Sequence, residues 1–525
     1  MEEDSKKTHT INVTSCSVCK GACCHHCLHA MSLNPIGLPK VHSYSNLLID
    51  CDLPDRSSKD SLRPYASPIE RTMHAGEKVS GPNVIVMVGL PARGKTYIAK
   101  KLTRYLNWIG IKAKTFNLGE YRRQAVHGYQ NHDFFREDNQ EAMRIREQVA
   151  KEALCDAFRW FDKEGGDVAI YDATNTTRQR RNFIRENCLP RGINIFFVES
   201  VCNDPEIVKK NVLDVKLNGP DYKDLAPTTE EALEDFVKRI RHYEDTYEPL
   251  DEQRDADLSF IRIHDAGKKY LVNRPGGHIQ SRVVYFLMNI HITARTIYLT
   301  RHGESENNLT GVLGGDCDLS DRGMEYAERL GKFVEQENIP GLHVWTSQLK
   351  RTIQTAQFID APKEKWKCLN EIHAGICEEL TYAEIQELYP VEFSNRDTDK
   401  FHYRYPGGES YEDVVARLEP VIIELERQNN VLVIGHQAIL RCLIGYFLNK
   451  PPEDLPYQEI PLHTVVKLTP RAYGCDMVLI PLNVKAVDTH RPQPKNVGLH
   501  RTREEALETT PSPVIERRGE EAPIA

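Results

Sequence analysis

Val84-Ile85-Val86-Met87-Val88-Gly89-Leu90-Pro91-Ala92-Arg93-Gly94-Lys95-Thr96 begins as an unbroken apolar run and ends as Gly-x-x-x-x-Gly-Lys-Thr. A short continuous apolar run closed by a glycine predicts a strand buried on both faces. Beyond the loop, Ile98, Leu102, Leu106 and Ile109 recur at helical spacing while Lys100, Lys101 and Arg104 fall on other faces, so the loop opens an amphipathic helix. Strand, loop and helix in that order aim backbone N–H groups at an anion. The glycines let the chain wrap a phosphate and the helix N-terminus adds a favourable dipole. Lys95 balances β- and γ-phosphate charge, and Thr96 offers a hydroxyl to Mg²⁺. The stretch predicts a phosphate-binding loop for ATP or GTP in an α/β sheet.

Further β-rich runs at residues 113–118, 168–171, 193–198 and 258–263 alternate with helical stretches, which indicates a parallel sheet covered by helices. A second series at 296–300, 343–346, 431–434, 464–468 and 478–482 follows a connecting helix near 281–289 and indicates a second α/β unit. The expected division is a disordered Cys/His-containing arm over 1–80, a P-loop kinase domain over 81–290, a second α/β domain over 291–486 and a disordered tail over 487–525. A length of 525 residues suits two cores. The net charge of −8 offers no bulk attraction to nucleic acid or an anionic membrane, and no apolar run reaches bilayer length, so the expectation is a cytoplasmic protein that binds neither. The 14 cysteines lack disulfide-like spacing, which predicts reduced thiols.

Asp172 ends the buried run 168–171, where a P-loop protein places a carboxylate facing the metal or the nucleophile. Position alone fits a helix N-cap as well. The donors that follow, Thr174, Asn175, Thr176, Thr177, Arg178, Arg180 and Arg181, favour an acceptor of a proton from an attacking hydroxyl. So many cations, with Arg122, Arg123, Arg146 and Arg239 beside Tyr243 one turn on, call for an anionic acceptor substrate.

In the second unit, Arg301-His302-Gly303-Glu304 follows a strand and resembles the histidine phosphatase, or phosphoglycerate mutase-like, superfamily, and Arg351, Glu371 and His436 come after it in the order which that resemblance implies. An imidazole attacks phosphorus only if the phosphoryl oxygens are neutralised and the leaving alkoxide is protonated. His302 is the expected nucleophile, Arg301, Arg351 and His436 hold the oxygens, and Glu371 protonates the leaving oxygen and then activates water.

A P-loop kinase followed by such a phosphatase resembles the bifunctional 6-phosphofructo-2-kinase/fructose-2,6-bisphosphatase family, through strings such as 89–97, 101–110, 172–178, 301–306 and 463–470. That resemblance implies phosphoryl transfer from ATP, with Mg²⁺, to the 2-hydroxyl of fructose 6-phosphate and hydrolysis of the product fructose 2,6-bisphosphate, which sets glycolytic flux. It implies that Arg122, Arg146, Thr174, Arg180, Lys216, Arg239 and Tyr243 bind fructose 6-phosphate. Asp172 and Cys202 then belong to the kinase centre, and Gly89 through Tyr97 with Asn211 and Lys216 bracket ATP. It assigns the bisphosphate to Arg301, Asn308, Gly314, Tyr382, Arg396, Lys400, Tyr411, Gln437 and Arg441, of which Arg396, Lys400 and Arg441 make sense as a clamp on the distant 6-phosphate. It also implies a homodimer.

The chain departs from the family at His373, where Asp is usual, at Cys317-Asp318, where a Ser-Gly pair is usual, and at Gly435, where Cys is usual. A cationic His373 close to Glu371 would favour the carboxylate and weaken the general acid, so the expectation is a kinase-biased enzyme. A different kinase–phosphatase fusion, acting on polynucleotide ends, is the rival, although the acidic balance sits badly with a basic groove. Cys16, Cys19, Cys23, Cys24, His25, His26, Cys27 and His29 supply enough ligands for zinc without finger-like spacing, and Thr510-Pro511-Ser512-Pro513 reads as a site for proline-directed protein kinases.

Overall fold

The computed structural model describes residues 81–126, 131–213, 221, 229–290, 295–471, 474–498 and 500–511. The Cys/His cluster, Lys216 and Ser512-Pro513 lie outside the described residues. The first sheet is ordered β2-β3-β1-β4-β5-β6, from β1 (Asn83–Val88), β2 (Ala113–Asn117), β3 (Val168–Asp172), β4 (Asn194–Val201), β5 (Phe260–His264) and β6 (Lys269–Asn273). β1 is buried at every position because parallel neighbours, β3 and β4, flank it and helices cover both faces. β6 runs antiparallel to β5, so the sheet is mixed rather than wholly parallel. As an edge strand it needs no continuous apolar run, which is why pattern alone passes over it.

α1 (Lys95–Trp108) buries Ile98, Leu102 and Leu106 in one cluster with Val283, Phe286 and Leu287 of the connecting helix, Gly277–Leu287. Truncating Leu102 to Ala there costs about 2–5 kcal/mol. On the opposite face lies α2 (Gln140–Glu164), which starts where the Asn139 side chain accepts from Ala142 N–H and stops at left-handed Gly165. Its Val149, Ala153, Leu154, Ala157 and Phe158 repeat at three- and four-residue spacing and fill the second cluster.

The second sheet is ordered β12-β11-β7-β10-β8-β9, from β7 (Ile297–Arg301), β8 (Leu342–Thr346), β9 (Lys363–Lys365), β10 (Asn430–Gly435), β11 (Thr464–Arg471) and β12 (Gly474–Pro481). β7, β10, β8 and β9 are parallel, β11 runs antiparallel to β7, and β12 runs antiparallel to β11. Residues 487–511, expected to form part of a disordered tail, instead lie on the second unit. Val487 N–H donates to Glu304, Arg491 makes a two-pronged ion pair with buried Asp397, Arg501 joins it, and Ala506 is fully buried. The apolar signal was weak because charged groups do most of the anchoring.

One carboxylate joins the two halves. Glu426 is fully buried on the helix Glu419–Arg427 of the second unit and binds Lys101 at 2.5 Å and Arg104 at 2.8 Å on α1, together with Arg295 just before β7. Tyr446 donates to the same group at 3.0 Å. Burial alone would raise the Glu426 pKa, but Lys101, Arg295 and Arg104 hold it well below the usual carboxylate range. Among the described cysteines, Cys188, Cys202, Cys317, Cys368, Cys377, Cys442 and Cys475 are free.

Candidate active sites

The phosphate-binding loop leaves the C-terminal end of β1, between the ends of β3 and β4, which is where open α/β sheets gather ligands. Gly89 has φ +131°, and a Cβ there would meet the Ser200 carbonyl oxygen at 2.5 Å, so only glycine lets the loop pass this close to β4. Gly89 N–H donates to Thr174 O at 2.9 Å, and Ser200 Oγ donates to Arg93 O at 2.5 Å, which ties the loop to both neighbouring strands. Lys95 opens α1 and its ammonium donates to Leu90 O at 2.5 Å, within the cradle formed by Gly89, Leu90, Pro91, Ala92, Arg93, Gly94 and Thr96. Asn211 donates to Ala92 O at 3.0 Å, and Arg93 donates to Cys202 O at 3.0 Å, so both predicted partners reach the loop. The Tyr97 ring lies 4.8 Å from the Lys101 ammonium, beside the Glu426 joint.

Asp172 is buried at the end of β3 and accepts from Asn117 Nδ2 at 2.5 Å. It is no helix cap: Thr177 caps the following helix, Arg178–Cys188, by accepting from Arg180 N–H. Arg122 and Arg239, from different helices, both reach Asp221, at 2.6 and 3.2 Å. The Phe135 ring lies against both guanidiniums, and the Tyr243 ring is tilted against it with centroids 6.1 Å apart. Arg146 donates to Phe135 O and Arg136 O, and Arg180 to Arg146 O.

In the second unit, strand register builds the site. Gly435 pairs with Arg301 and Thr346 with Ile434, so the residues just past β7, β10 and β8 emerge side by side: His302, His436 and Ser347. The two imidazole rings are 5.2 Å apart, and His436 Nε2 is 2.8 Å from Ser347 Oγ. His302 Nδ1 donates to Gly303 O at 2.7 Å, which assigns the proton to Nδ1 and leaves Nε2 with its lone pair. Gly303 is required here: a Cβ would meet the Gly323 carbonyl oxygen at 2.5 Å. Burial lowers the pKa of both imidazoles well below 6.5, and the Arg351 cation lowers them further.

Arg301 is buried and donates to Thr489 Oγ1 at 2.6 Å and Ile460 O at 3.0 Å, and burial pulls it down to about 9. Arg351 donates to Gly315 O at 2.7 Å, and Glu371 accepts from the N–H groups of Ile372 and Ala438. Arg301 Nε, His436 Nδ1 and Arg441 Nη2 are buried without a hydrogen-bond partner among the described residues. One cleft brings together Glu371, Gly314, Tyr382, Arg396, Lys400, Tyr411, Gln437 and Arg441. Arg396 reaches Tyr405 Oη at 2.6 Å and Tyr382 Oη at 3.3 Å, Lys400 donates to Pro456 O, and Arg441 reaches Tyr411 Oη at 3.1 Å. Asn308 stands apart from this lining, its Oδ1 closing a capping box with Ser305.

Thr489 and Arg491 also line the cleft, and sequence reasoning missed them because they sit in the segment taken for a tail. Ser347 was missed too, and only its place one residue beyond a buried strand could have pointed to it. His373, expected to weaken Glu371 as an acid, is exposed, and its Nδ1 accepts from Gly375 N–H at 3.1 Å with no described ion pair to Glu371.

A P-loop fold with an acid at the next strand end, followed in one chain by a paired-histidine site with flanking arginines, defines a phosphotransferase joined to a histidine phosphatase. Residues 70–294 match the family model described as 6-phosphofructo-2-kinase, and residues 297–482 match the histidine phosphatase superfamily (branch 1). A 6-phosphofructo-2-kinase/fructose-2,6-bisphosphatase of Aquarana catesbeiana is 59% identical over 432 residues, covering 82% of this chain and 92% of that one. Relatives with the same name include number 4 of Rattus norvegicus, 56% identical over 88% of this chain and 98% of its own, and number 1 of Homo sapiens, 59% identical over 82% and 91%. The chain belongs to the bifunctional 6-phosphofructo-2-kinase/fructose-2,6-bisphosphatase family.

Proposed function

We propose that the first half makes fructose 2,6-bisphosphate from ATP and fructose 6-phosphate and that the second half returns it to fructose 6-phosphate and phosphate. The observation that carries this reading is the presence, in one chain, of a loop cradle led by Lys95 and a buried His302 whose Nδ1 proton is already committed to Gly303 O. In the kinase step the sugar 2-hydroxyl attacks the γ-phosphorus of ATP and ADP leaves. Asp172, oriented by Asn117, takes the hydroxyl proton, Lys95 balances phosphate charge, and Arg122, Arg146, Thr174, Arg180, Arg239 and Tyr243 hold the sugar phosphate. Thr96 and Asp172 offer only oxygen donors, a set that suits Mg²⁺ brought in on nucleotide phosphates, where it supplies charge neutralisation.

In the phosphatase step His302 Nε2 attacks the 2-phosphorus and the sugar oxygen leaves with a proton from Glu371. The Glu371 carboxylate then takes a proton from water, which attacks the phosphohistidine, releases phosphate and restores His302. Arg301, Arg351 and His436 hold the equatorial oxygens, and Arg396, Lys400 and Arg441 hold the 6-phosphate. A cytoplasmic homodimer belongs to the same proposal; no described helix is long and apolar enough to cross a membrane, and sedimentation of the purified chain tests the dimer. Label transfer from ATP to fructose 6-phosphate and phosphate release from fructose 2,6-bisphosphate are the decisive assays. Turnover on oligonucleotide ends instead of both sugars would overturn the reading.

A further inference from the structure

Arg122 and Arg239, both given above to fructose 6-phosphate, converge on the carboxylate of Asp221, and neighbouring Arg123 adds a third contact at 3.1 Å. The arrangement is asymmetric in charge: three guanidiniums face one carboxylate. Burial and the nearby Arg239 cation both press the Arg122 pKa down, as expected where positive charge is in excess. Burial also opposes the Asp221 charge, yet Arg122 and Arg239 hold this carboxyl well below the usual range, so it is ionised at any working pH. Arg239 Nε is buried without a hydrogen-bond partner among the described residues, although the same guanidinium is pinned to the Phe135 ring at 3.7 Å. The cluster therefore has donors and positive charge beyond what one carboxylate satisfies. A phosphomonoester brings about twice the charge and three oxygens.

We propose that the Asp221 carboxylate holds the place of the sugar phosphate on Arg122 and Arg239, and so sets the affinity for fructose 6-phosphate by competing with it. This rests on the assignment of those arginines to the sugar phosphate. Asp221 keeps the guanidiniums extended and paired in the absence of substrate. The incoming phosphate displaces it, gains Arg239 Nε as a further donor, and returns the carboxylate to water. Only the fraction of molecules whose arginines have left Asp221 is competent to bind, so the apparent dissociation constant exceeds the intrinsic one by the inverse of that fraction.

The test is steady-state kinase kinetics on the full chain. Asp221→Asn is expected to lower the KM for fructose 6-phosphate by about threefold to tenfold while leaving the KM for ATP within twofold. Inhibition by inorganic phosphate, competitive with the sugar, should strengthen in parallel. Asp221→Glu keeps the charge and should stay near the parent value, and Asp221→Ser is a second neutral variant if the Asn protein folds poorly. Unchanged phosphatase turnover certifies the fold. A KM for fructose 6-phosphate that rises or stays put in both neutral variants overturns the inference, since Asp221 would then only order the arginines. Arg239→Ala separates the levels: no effect of that variant on the sugar KM would mean that the arginine assignment itself is wrong.

Discussion

His302, His436, Arg301 and Arg351 are each at most 4% exposed, whereas Arg146 and Arg180 of the first half remain partly exposed and Arg122 faces a carboxylate of its own chain. The two halves handle the same phosphate and differ in who owns the nucleophile. In the proposed phosphatase step the attacking atom belongs to the protein, so its protonation state has to be built in, and burial beside two guanidiniums favours the neutral imidazole. In the kinase the attacking hydroxyl arrives with the sugar, and the chain needs only a cradle, an acceptor for the proton and counter-charges for two anionic substrates.

The widest test of this contrast is reciprocal. His302→Ala should lower phosphate release by on the order of 10⁴-fold and leave the kinase intact, and Lys95→Met should lower label transfer by on the order of 10³-fold and leave the phosphatase intact. A shared loss would break the two-site picture. Next in size, Glu426→Ala leaves Lys101, Arg104 and Arg295 buried without their common counter-ion, and urea unfolding should show a loss of about 3–5 kcal/mol.

A smaller effect sharpens the point about ownership. Because both imidazole pKa values lie below 6.5 in the fold, His302 stays neutral where a free imidazole would not. Phosphatase kcat/KM should hold nearly level from pH 7.5 to 6, where an unshifted imidazole would lose about fourfold. The linkage has a definite sign: below 6.5 the unfolded chain binds more protons than the native one at these two sites, so their contribution to stability is present above 6.5 and falls away as the pH drops. Smallest of all, His373→Asp should change phosphatase turnover by less than about twofold, since the imidazole serves only its own loop.

Much of this was legible in the sequence because it lies where chain chemistry is local. The apolar run into Gly89 and the turn residues after it state a strand, a loop and a helix start, and Arg301-His302 names a strand end. The need for glycine at 303 is set by the fold, through the close backbone approach of Gly323. What stayed hidden was long-range. β6 and β9 are edge strands with little apolar pattern, and Arg491 acquires its place only through Asp397, far off in the chain. Asp221 reads as one more surface acid until the fold brings the arginines to it.

Glu426 has a consequence for dosage. A second-half carboxylate neutralises Lys101 and Arg104 on the helix that begins at the ATP loop, so a first half expressed alone would lack the counter-ion of that helix. Synthesis and breakdown are therefore delivered in fixed one-to-one stoichiometry. Making more or less of the chain scales both together, and the net direction of flux must be set by how full each site is.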